Sequence, residues 1–206
     1  MKHTPSTLAC TLLAASCISV RSAPPLQPGE LTWEVLQVQE LEGASLRGLS
    51  VPGKATVWIS GAGGVCVVSE DNGRTWRDVS PPQAVADDLD LRSIHALDRT
   101  HAWVASAGPG AASRILRTRD GGETWETVRT NAEEDGFYDS IAFWDLKRGI
   151  VMGDAVDGYL TILITSDGGD SWARVPQERL PKPLAGECGF AASNRTIALF
   201  PPCNAW

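Results

Sequence analysis

The side chains of this chain best placed for chemistry are acidic. Asp154 follows Gly153, Asp157 precedes Gly158, and Tyr159 comes next. A Gly-Asp corner followed by an Asp-Gly turn presents short polar groups together on one edge. Carboxylates beside a phenol can hold a basic protein segment, a cation or the hydroxyls of a sugar, and a carboxylate pair is also the machinery of glycoside hydrolysis. Glu187 is the fourth candidate binding residue. Further acidic loops, Asp87, Asp88 and Asp90, then Glu133, Glu134 and Asp135, extend the same character. The formal charge is −7, and clustered Lys and Arg of the kind that neutralise a phosphate backbone are missing, so nucleic acid is excluded as a partner. His3, His95 and His101 are isolated and no Cys/His spacing suits a metal, so neither metal nor cofactor is expected. Cys66 lies in an apolar run and reads as a small buried hydrophobe. Cys188 and Cys203 are the pair available for a disulfide in an oxidising compartment.

The first residues concern export. Met1-Lys2-His3 precede an apolar stretch from Leu8 to Val20, too short to span a bilayer, and residues 1–23 read as a signal peptide or lipoprotein leader. Two exits stay open: cleavage near Ala23, or lipidation at Cys17 after Ala14-Ala15-Ser16. The expected location is the periplasm, the extracellular space or the cell envelope by a lipid anchor, and membrane contact is expected only through that anchor.

Three copies of one pattern position everything else. Ser69-Glu70-Asp71-Asn72-Gly73-Arg74-Thr75-Trp76 recurs as Thr118-Arg119-Asp120-Gly121-Gly122-Glu123-Thr124-Trp125 and as Thr165-Ser166-Asp167-Gly168-Gly169-Asp170-Ser171-Trp172. The aspartates are 49 and 47 residues apart, a period that suits one four-stranded propeller blade. Asn72-Gly73, Gly121-Gly122 and Gly168-Gly169 supply the positive φ angles of a hairpin turn, the preceding Asp accepts hydrogen bonds from turn amides, and the Trp fills the wedge between sheets.

Apolar pairs upstream of each turn (Cys66-Val67, Ile115-Leu116, Ile162-Leu163) and valines downstream (Val79, Val128, Val175) mark third and fourth strands. Inner strands are expected at 46–51, 91–97 and 140–143, and second strands at 57–60, 102–106 and 149–153. The expected fold is an all-β propeller of four-stranded blades with Asp-box hairpins over 31–206. Blade one covers 44–80, blade two 89–129, blade three 138–176, and a partial blade four 186–206. Thr32-Trp33-Glu34-Val35 matches the outer-strand pattern, and Asn204-Ala205-Trp206 matches His101-Ala102-Trp103 at the start of a second strand. About three and a half blades give an incomplete ring, since propellers need about four to eight, and the expectation is a truncated ring.

With its three Asp boxes and the run Phe137-Tyr138-Asp139-Ser140-Ile141-Ala142-Phe143-Trp144-Asp145, Gly149-Ile150-Val151-Met152-Gly153-Asp154, Asp157-Gly158, the chain resembles the photosystem II stability/assembly factor-like proteins, also labelled BNR/Asp-box repeat proteins. The resemblance implies a propeller of about six or seven blades that acts as a non-catalytic scaffold holding a partner protein. The expected function is therefore a non-enzymatic exported scaffold binding a protein or glycan through its acidic face. The alternative is a glycoside hydrolase using carboxylates in the same mouth. A sialidase fits less well: Tyr138 and Tyr159 are the only tyrosines, and no Arg-Ile-Pro motif precedes Arg47, Arg92 or Arg195. In this reading Asp71, Gly73, Trp76, Asp120, Gly122, Trp125, Asp167, Gly169 and Trp172 are structural, and no residue is catalytic.

Overall fold

The computed structural model describes residues 44–184, 196–200, 202 and 204–205, all within the unit Leu36–Trp206. The leader at 1–23, Cys17, the Trp33 segment, Glu187, Cys188, Arg195 and Cys203 lie outside the described residues. Three antiparallel sheets follow one another, each with its strands in sequence order. The first holds β1 (Leu46–Ser50), β2 (Val57–Gly61), β3 (Cys66–Ser69) and β4 (Arg77–Asp78). The second holds β5 (Asp90–Ala96), β6 (Ala102–Ala107), β7 (Arg114–Thr118) and β8 (Glu126–Thr130). The third holds β9 (Tyr138–Phe143), β10 (Gly149–Val156), β11 (Tyr159–Thr165) and β12 (Ala173–Arg174). β13 (Leu199–Phe200) pairs with β14 (Asn204–Ala205) as the start of a fourth. Among the described residues the architecture is that of a β-propeller, with three four-stranded blades and the beginning of another. A short helix, α1 (Pro82–Ala86), stands where only an acidic loop was expected, and it buries Ala84 in the core.

The hairpins between third and fourth strands form for a local reason. The hydroxyls of Ser69, Thr118 and Thr165 accept from the amides of Gly73, Gly122 and Gly169 at 2.7, 2.8 and 2.9 Å. Each hydroxyl also donates to the Oδ1 of the aspartate two residues on. That oxygen accepts the amide of Thr75, Thr124 or Ser171 at 2.8, 2.9 and 3.0 Å. Positive φ at Asn72-Gly73, Gly121-Gly122 and Gly168-Gly169 turns the chain tightly enough for this network.

The core lies between sheets. One cluster, between the first and second blades, includes Trp58, Val68, Val79, Leu91, Val104 and Leu116. The other, between the second and third, includes Trp103, Ile115, Tyr138, Phe143, Leu163 and Trp172. Trp125 reaches back to the first blade, where Nε1 donates to the Val79 carbonyl at 2.8 Å and its ring meets Trp58 edge-on at 6.4 Å. Trp103 stacks on Phe143 at 3.8 Å, and Trp172 meets Phe143 edge-on at 5.8 Å. Each indole buries about 150–250 Å², a gross stabilisation of about 4–6 kcal/mol at about 25 cal/mol per Å². Trp76 is half-buried and donates to Gly73 in its own turn at 3.1 Å. Cys66 is fully buried and free, and burial pushes its thiol pKa up, so it is inert.

Serine hydroxyls stitch the inner wall sideways. Ser50 Oγ accepts from the amide of Ala96 at 2.9 Å, and Ser93 Oγ from that of Ile141 at 3.0 Å. Gly48 permits this approach, because a Cβ there would lie 2.4 Å from Ser60 Oγ and 2.9 Å from Ile94 Cγ2.

Candidate binding site at the inner-strand mouth

A bulge recurs at one position in all three blades. The ladder of β1 with β2 steps from Leu46↔Gly61 to Gly48↔Ser60 and leaves Arg47 unopposed. That of β5 with β6 steps from Leu91↔Ser106 to Ser93↔Ala105 and leaves out Arg92. That of β9 with β10 steps from Tyr138↔Gly153 to Ser140↔Met152 and leaves out Asp139. A bulge bends the strand and re-aims its extra side chain. The three extra residues follow Leu46, Leu91 and Tyr138 and precede Leu49, Ile94 and Ile141 by two, so successive blades present them at equivalent places.

Electrostatics joins them. Asp90 Oδ2 accepts from Arg92 Nε at 2.7 Å, and Asp90 Oδ1 lies 3.9 Å from Arg47 Nε. The Arg92 guanidinium lies over the ring of Phe137, 5.8 Å from its centroid. Asp154 is itself bulged, between Gly153↔Thr161 and Ala155↔Leu160, and its amide donates to the Phe137 carbonyl at 3.0 Å. Asp139 is 1% exposed, and its Oδ2 has no hydrogen-bond partner. Burial pushes the Asp139 carboxyl up to about 7, the charge of Asp154 adds to this, and Arg92 opposes it. A buried carboxylate without a partner is costly, so such a group keeps its proton or takes a cation.

The candidate residues on the β10–β11 hairpin divide. Asp154 acts on Asp139. Asp157 is exposed at the hairpin tip with φ +55°, beside Gly158. Tyr159 opens β11, and Lys182 Nζ lies 5.9 Å from its ring centroid. Three carboxylates of the expected acidic rim are paired: Asp87 with Arg114 at 2.5 Å, Asp90 with Arg92, and Glu133 with Arg174. Carboxylates here alternate with guanidinium groups. Further along the inner strands, Leu49, Ser50, Ile94, His95, Ile141 and Leu199 line a cavity of about 390 Å³ with a mixed polar and apolar surface. Burial lowers the His95 pKa to about 4, so this wall is uncharged at neutral pH. Among the described residues no group of three or more His, Cys, Asp or Glu could hold a metal ion, and no helix is long and apolar enough to cross a membrane.

Comparison with known proteins settles the family. The model of the photosynthesis system II assembly factor YCF48 family matches residues 83–188. The chain belongs to this family. It is 34% identical over 85 residues to the chloroplastic photosystem II stability/assembly factor HCF136 of Arabidopsis thaliana, covering 39% of this chain and 19% of that protein. Among solved structures it is similar to YCF48 from Cyanidioschyzon merolae, with a TM-score of 0.53, 20% identity, and coverage of 79% of this chain and 46% of the other. It is also similar to a YCF48 bound to a D1 peptide, with a TM-score of 0.54, 18% identity, and coverage of 66% and 42%. The chain thus spans about a fifth of the matched chloroplast factor and less than half of the solved YCF48 chains.

Within this YCF48-family propeller, Asp139 joins the candidate residues. It lies inside the quoted run but was not separated from its apolar neighbours. The available signal was alignment of the repeats on their inner strands, which puts Arg47, Arg92, Asp139 and Arg195 at one position and makes the sole acid conspicuous.

Proposed function

We propose that this chain is part of a non-enzymatic, exported, assembly-factor-like scaffold that holds a segment of a partner protein at the inner-strand mouth. The observation that carries the reading is the set of bulged ionisable residues, Arg47, Arg92 and Asp139, two residues along their strands from Leu49, Ile94 and Ile141, which line a cavity of mixed polar and apolar surface. Charged anchors beside a cavity of mixed surface suit an extended segment with polar and apolar side chains better than a small polar molecule. The solved family member bound to a D1 peptide supports a protein partner. Export through residues 1–23 belongs to the same proposal.

The coupled carboxyls of Asp139 and Asp154 favour one second reading, a glycoside hydrolase. There Asp139, whose carboxyl burial pushes up to about 7, would be the general acid and Asp154 the second carboxyl group. One experiment separates the readings. A photo-crosslinking residue replaces the exposed Glu134, and cross-linked products from the native cell envelope are compared with those of Asp154→Asn/Asp157→Asn. A discrete partner band that weakens in the double variant supports the scaffold. Hydrolysis of an oligosaccharide panel that Asp154→Asn abolishes, with no partner band, overturns it.

A further inference from the structure

The first aspartate turn differs from the other two in the residue that follows its Asp. Where the second and third carry Gly121-Gly122 and Gly168-Gly169, the first carries Asn72-Gly73, the one Asn-Gly pair of the sequence. Both residues have positive φ, +63° and +82°, and Asn72 is exposed. An added Cβ at Gly73 would meet only Trp76 Cζ2, at 3.5 Å, so the turn is open on this side. Asn-Gly suits such a turn. It is also a dipeptide prone to modify itself, because glycine puts no side chain in the way of its own nitrogen. The deprotonated Gly73 nitrogen attacks Asn72 Cγ and a C–N bond forms. The bond from Cγ to the side-chain nitrogen breaks, and ammonia leaves with the displaced proton. Water then opens the five-membered imide to an aspartyl or an isoaspartyl residue. The chain and water supply every atom, and nothing is oxidised or reduced.

We propose that Asn72 is a deamidation site that the folded turn keeps closed, with the Ser69 hydroxyl as its latch. Ring closure needs the Gly73 nitrogen deprotonated and the backbone about the Asn72 Cα free to turn. The fold opposes both. The Gly73 N–H donates to Ser69 Oγ at 2.7 Å, and Ser69 is 1% exposed, so the proton points at a buried oxygen, away from any base in solvent. Ser69 Oγ in turn donates to Asp71 Oδ1 at 2.9 Å. A relay of the proton to that carboxylate fails, because the bonds from Thr75 hold Asp71 down to about 2 and leave it a poor base. On the other side of the Asn72 Cα, its own N–H donates to the Ala55 carbonyl at 2.9 Å. Opening the turn releases all of these together. An isoaspartyl residue would route the main chain through the side-chain methylene and add an atom between Asp71 and Gly73. The four-residue spans from Ser69 to Gly73 and from Asp71 to Thr75 would then no longer close. The modification would therefore record an opening of the first blade and keep its turn from re-forming. It is independent of what the inner-strand mouth binds.

The test incubates the full chain in mildly alkaline buffer and follows the amide-to-acid mass gain of the peptide that holds Asn72. In guanidinium chloride the unfolded parent should deamidate there about tenfold faster than the folded parent, or more, since both backbone bonds around Asn72 must break before the folded chain reacts. Ser69→Ala, shown to be folded by a cooperative melt, should react about two- to tenfold faster than the folded parent, the worth of one hydrogen bond. Ser69→Thr, which installs the residue of the second and third turns, should stay as slow as the parent. Asn72→Gly should show no mass gain in that peptide. Equal rates for the folded and unfolded parent overturn the proposal. So does a folded Ser69→Ala that reacts no faster than the parent, which would mean that the hydroxyl is no latch. If Ser69→Ala does not fold, the comparison of folded with unfolded parent, together with the slow reaction expected of Ser69→Thr, still decides it.

Discussion

Trp103 Nε1, in the second strand of the second blade, donates to the carbonyl of Gly168 in the aspartate turn of the third blade at 3.0 Å. The buried Arg117 guanidinium reaches the same carbonyl at 2.8 Å. The preceding junction uses the same device, with Arg77 Nη2 on the Gly121 carbonyl at 2.8 Å. The repeated turn thus does more than reverse the chain. Its first glycine carbonyl is the acceptor on which the previous blade docks, which explains why the turns stay regular although the loops at the opposite face do not.

Replacing Trp103 by Ala should therefore cost about 3–5 kcal/mol, because it removes a fully buried indole stacked on Phe143. Trp103→Phe keeps part of the stack and loses the hydrogen bond, with a smaller cost of about 0.5–1.5 kcal/mol from that bond. Urea unfolding of both variants checks the order. A Phe variant as damaged as the Ala variant would show that the bond, and not the packing, holds the two blades together.

Arg117 is 2% exposed and also pairs with Glu126 and Asp170, both at 2.7 Å. These carboxylates are more than half exposed and regain water when the arginine is lost, so their share of the stability is small. The larger loss in Arg117→Met is the donor to Gly168, and the expected cost is about 1–3 kcal/mol. Arg117→Lys should fall short of rescue, since one ammonium cannot serve the three acceptors in their fixed directions. Thermal melts of the two variants decide this.

The strands, their order and the turns were legible in the sequence because each rests on local chemistry: Asp and Gly at fixed offsets, and apolar pairs four and five residues before the Asp. The anchoring hydroxyls of Ser69, Thr118 and Thr165 stood in the quoted pattern without a stated role. Helix α1 was missed because five residues in a loop carry no periodicity. The site was only partly legible. Asp154 stands out beside Gly153, whereas Asp139 stands out only when the repeats are aligned on their inner strands; its burial, and the opposing influences of Asp154 and Arg92, come from the fold. The cations of the rim were hidden for a related reason: Arg114 and Arg174, which pair with Asp87 and Glu133, lie 27 and 41 residues away in sequence.

Two glycines separate backbone strain from steric room. Gly158 has φ +78° and nothing within 4 Å of an added Cβ, so Gly158→Ala should cost only the left-handed penalty of about 1–2 kcal/mol. Gly122 has φ +84°, and a Cβ there would lie 2.6 Å from Val79 Cβ in the preceding blade. Gly122→Ala should add an overpacking cost of about 1–3 kcal/mol. Chemical denaturation of the pair should show Gly122→Ala as clearly the worse, and equal losses would contradict the tight docking of Val79 on the turn.

The aspartate turns predict a particular acid response. The amide and hydroxyl of Thr75 hold the Asp71 carboxyl down to about 2, the hydroxyl and amide of Thr124 do the same for Asp120, and Ser171 holds Asp167 lower still. A carboxyl depressed in the folded state contributes stability that is present above its unfolded pKa of about 3.9 and is lost as pH falls through the folded value. The melting temperature should therefore fall between about pH 4 and pH 2. Asp120→Asn should be less stable than the parent at pH 7, and the difference should narrow as pH approaches 2. A constant difference across that range would mean that the charge of Asp120 is immaterial to the turn.

Asp139 predicts the opposite slope. Its carboxyl is pushed up to about 7, chiefly by burial, so between about pH 4 and pH 7 the folded state holds a proton that the unfolded chain has released. Stability attributable to this residue must therefore fall as pH rises through that window, and the cost is fully present above pH 7. Asp139→Asn removes the titration while keeping the shape. The variant should match the parent near pH 4 and melt at a higher temperature at pH 8, with the gap opening between. Because the charge of Asp154 contributes to the shift, Asp154→Asn should lower the Asp139 midpoint and narrow the same gap. A variant that melts below the parent at pH 8 would show that the ionised Asp139 has a stabilising partner within the chain.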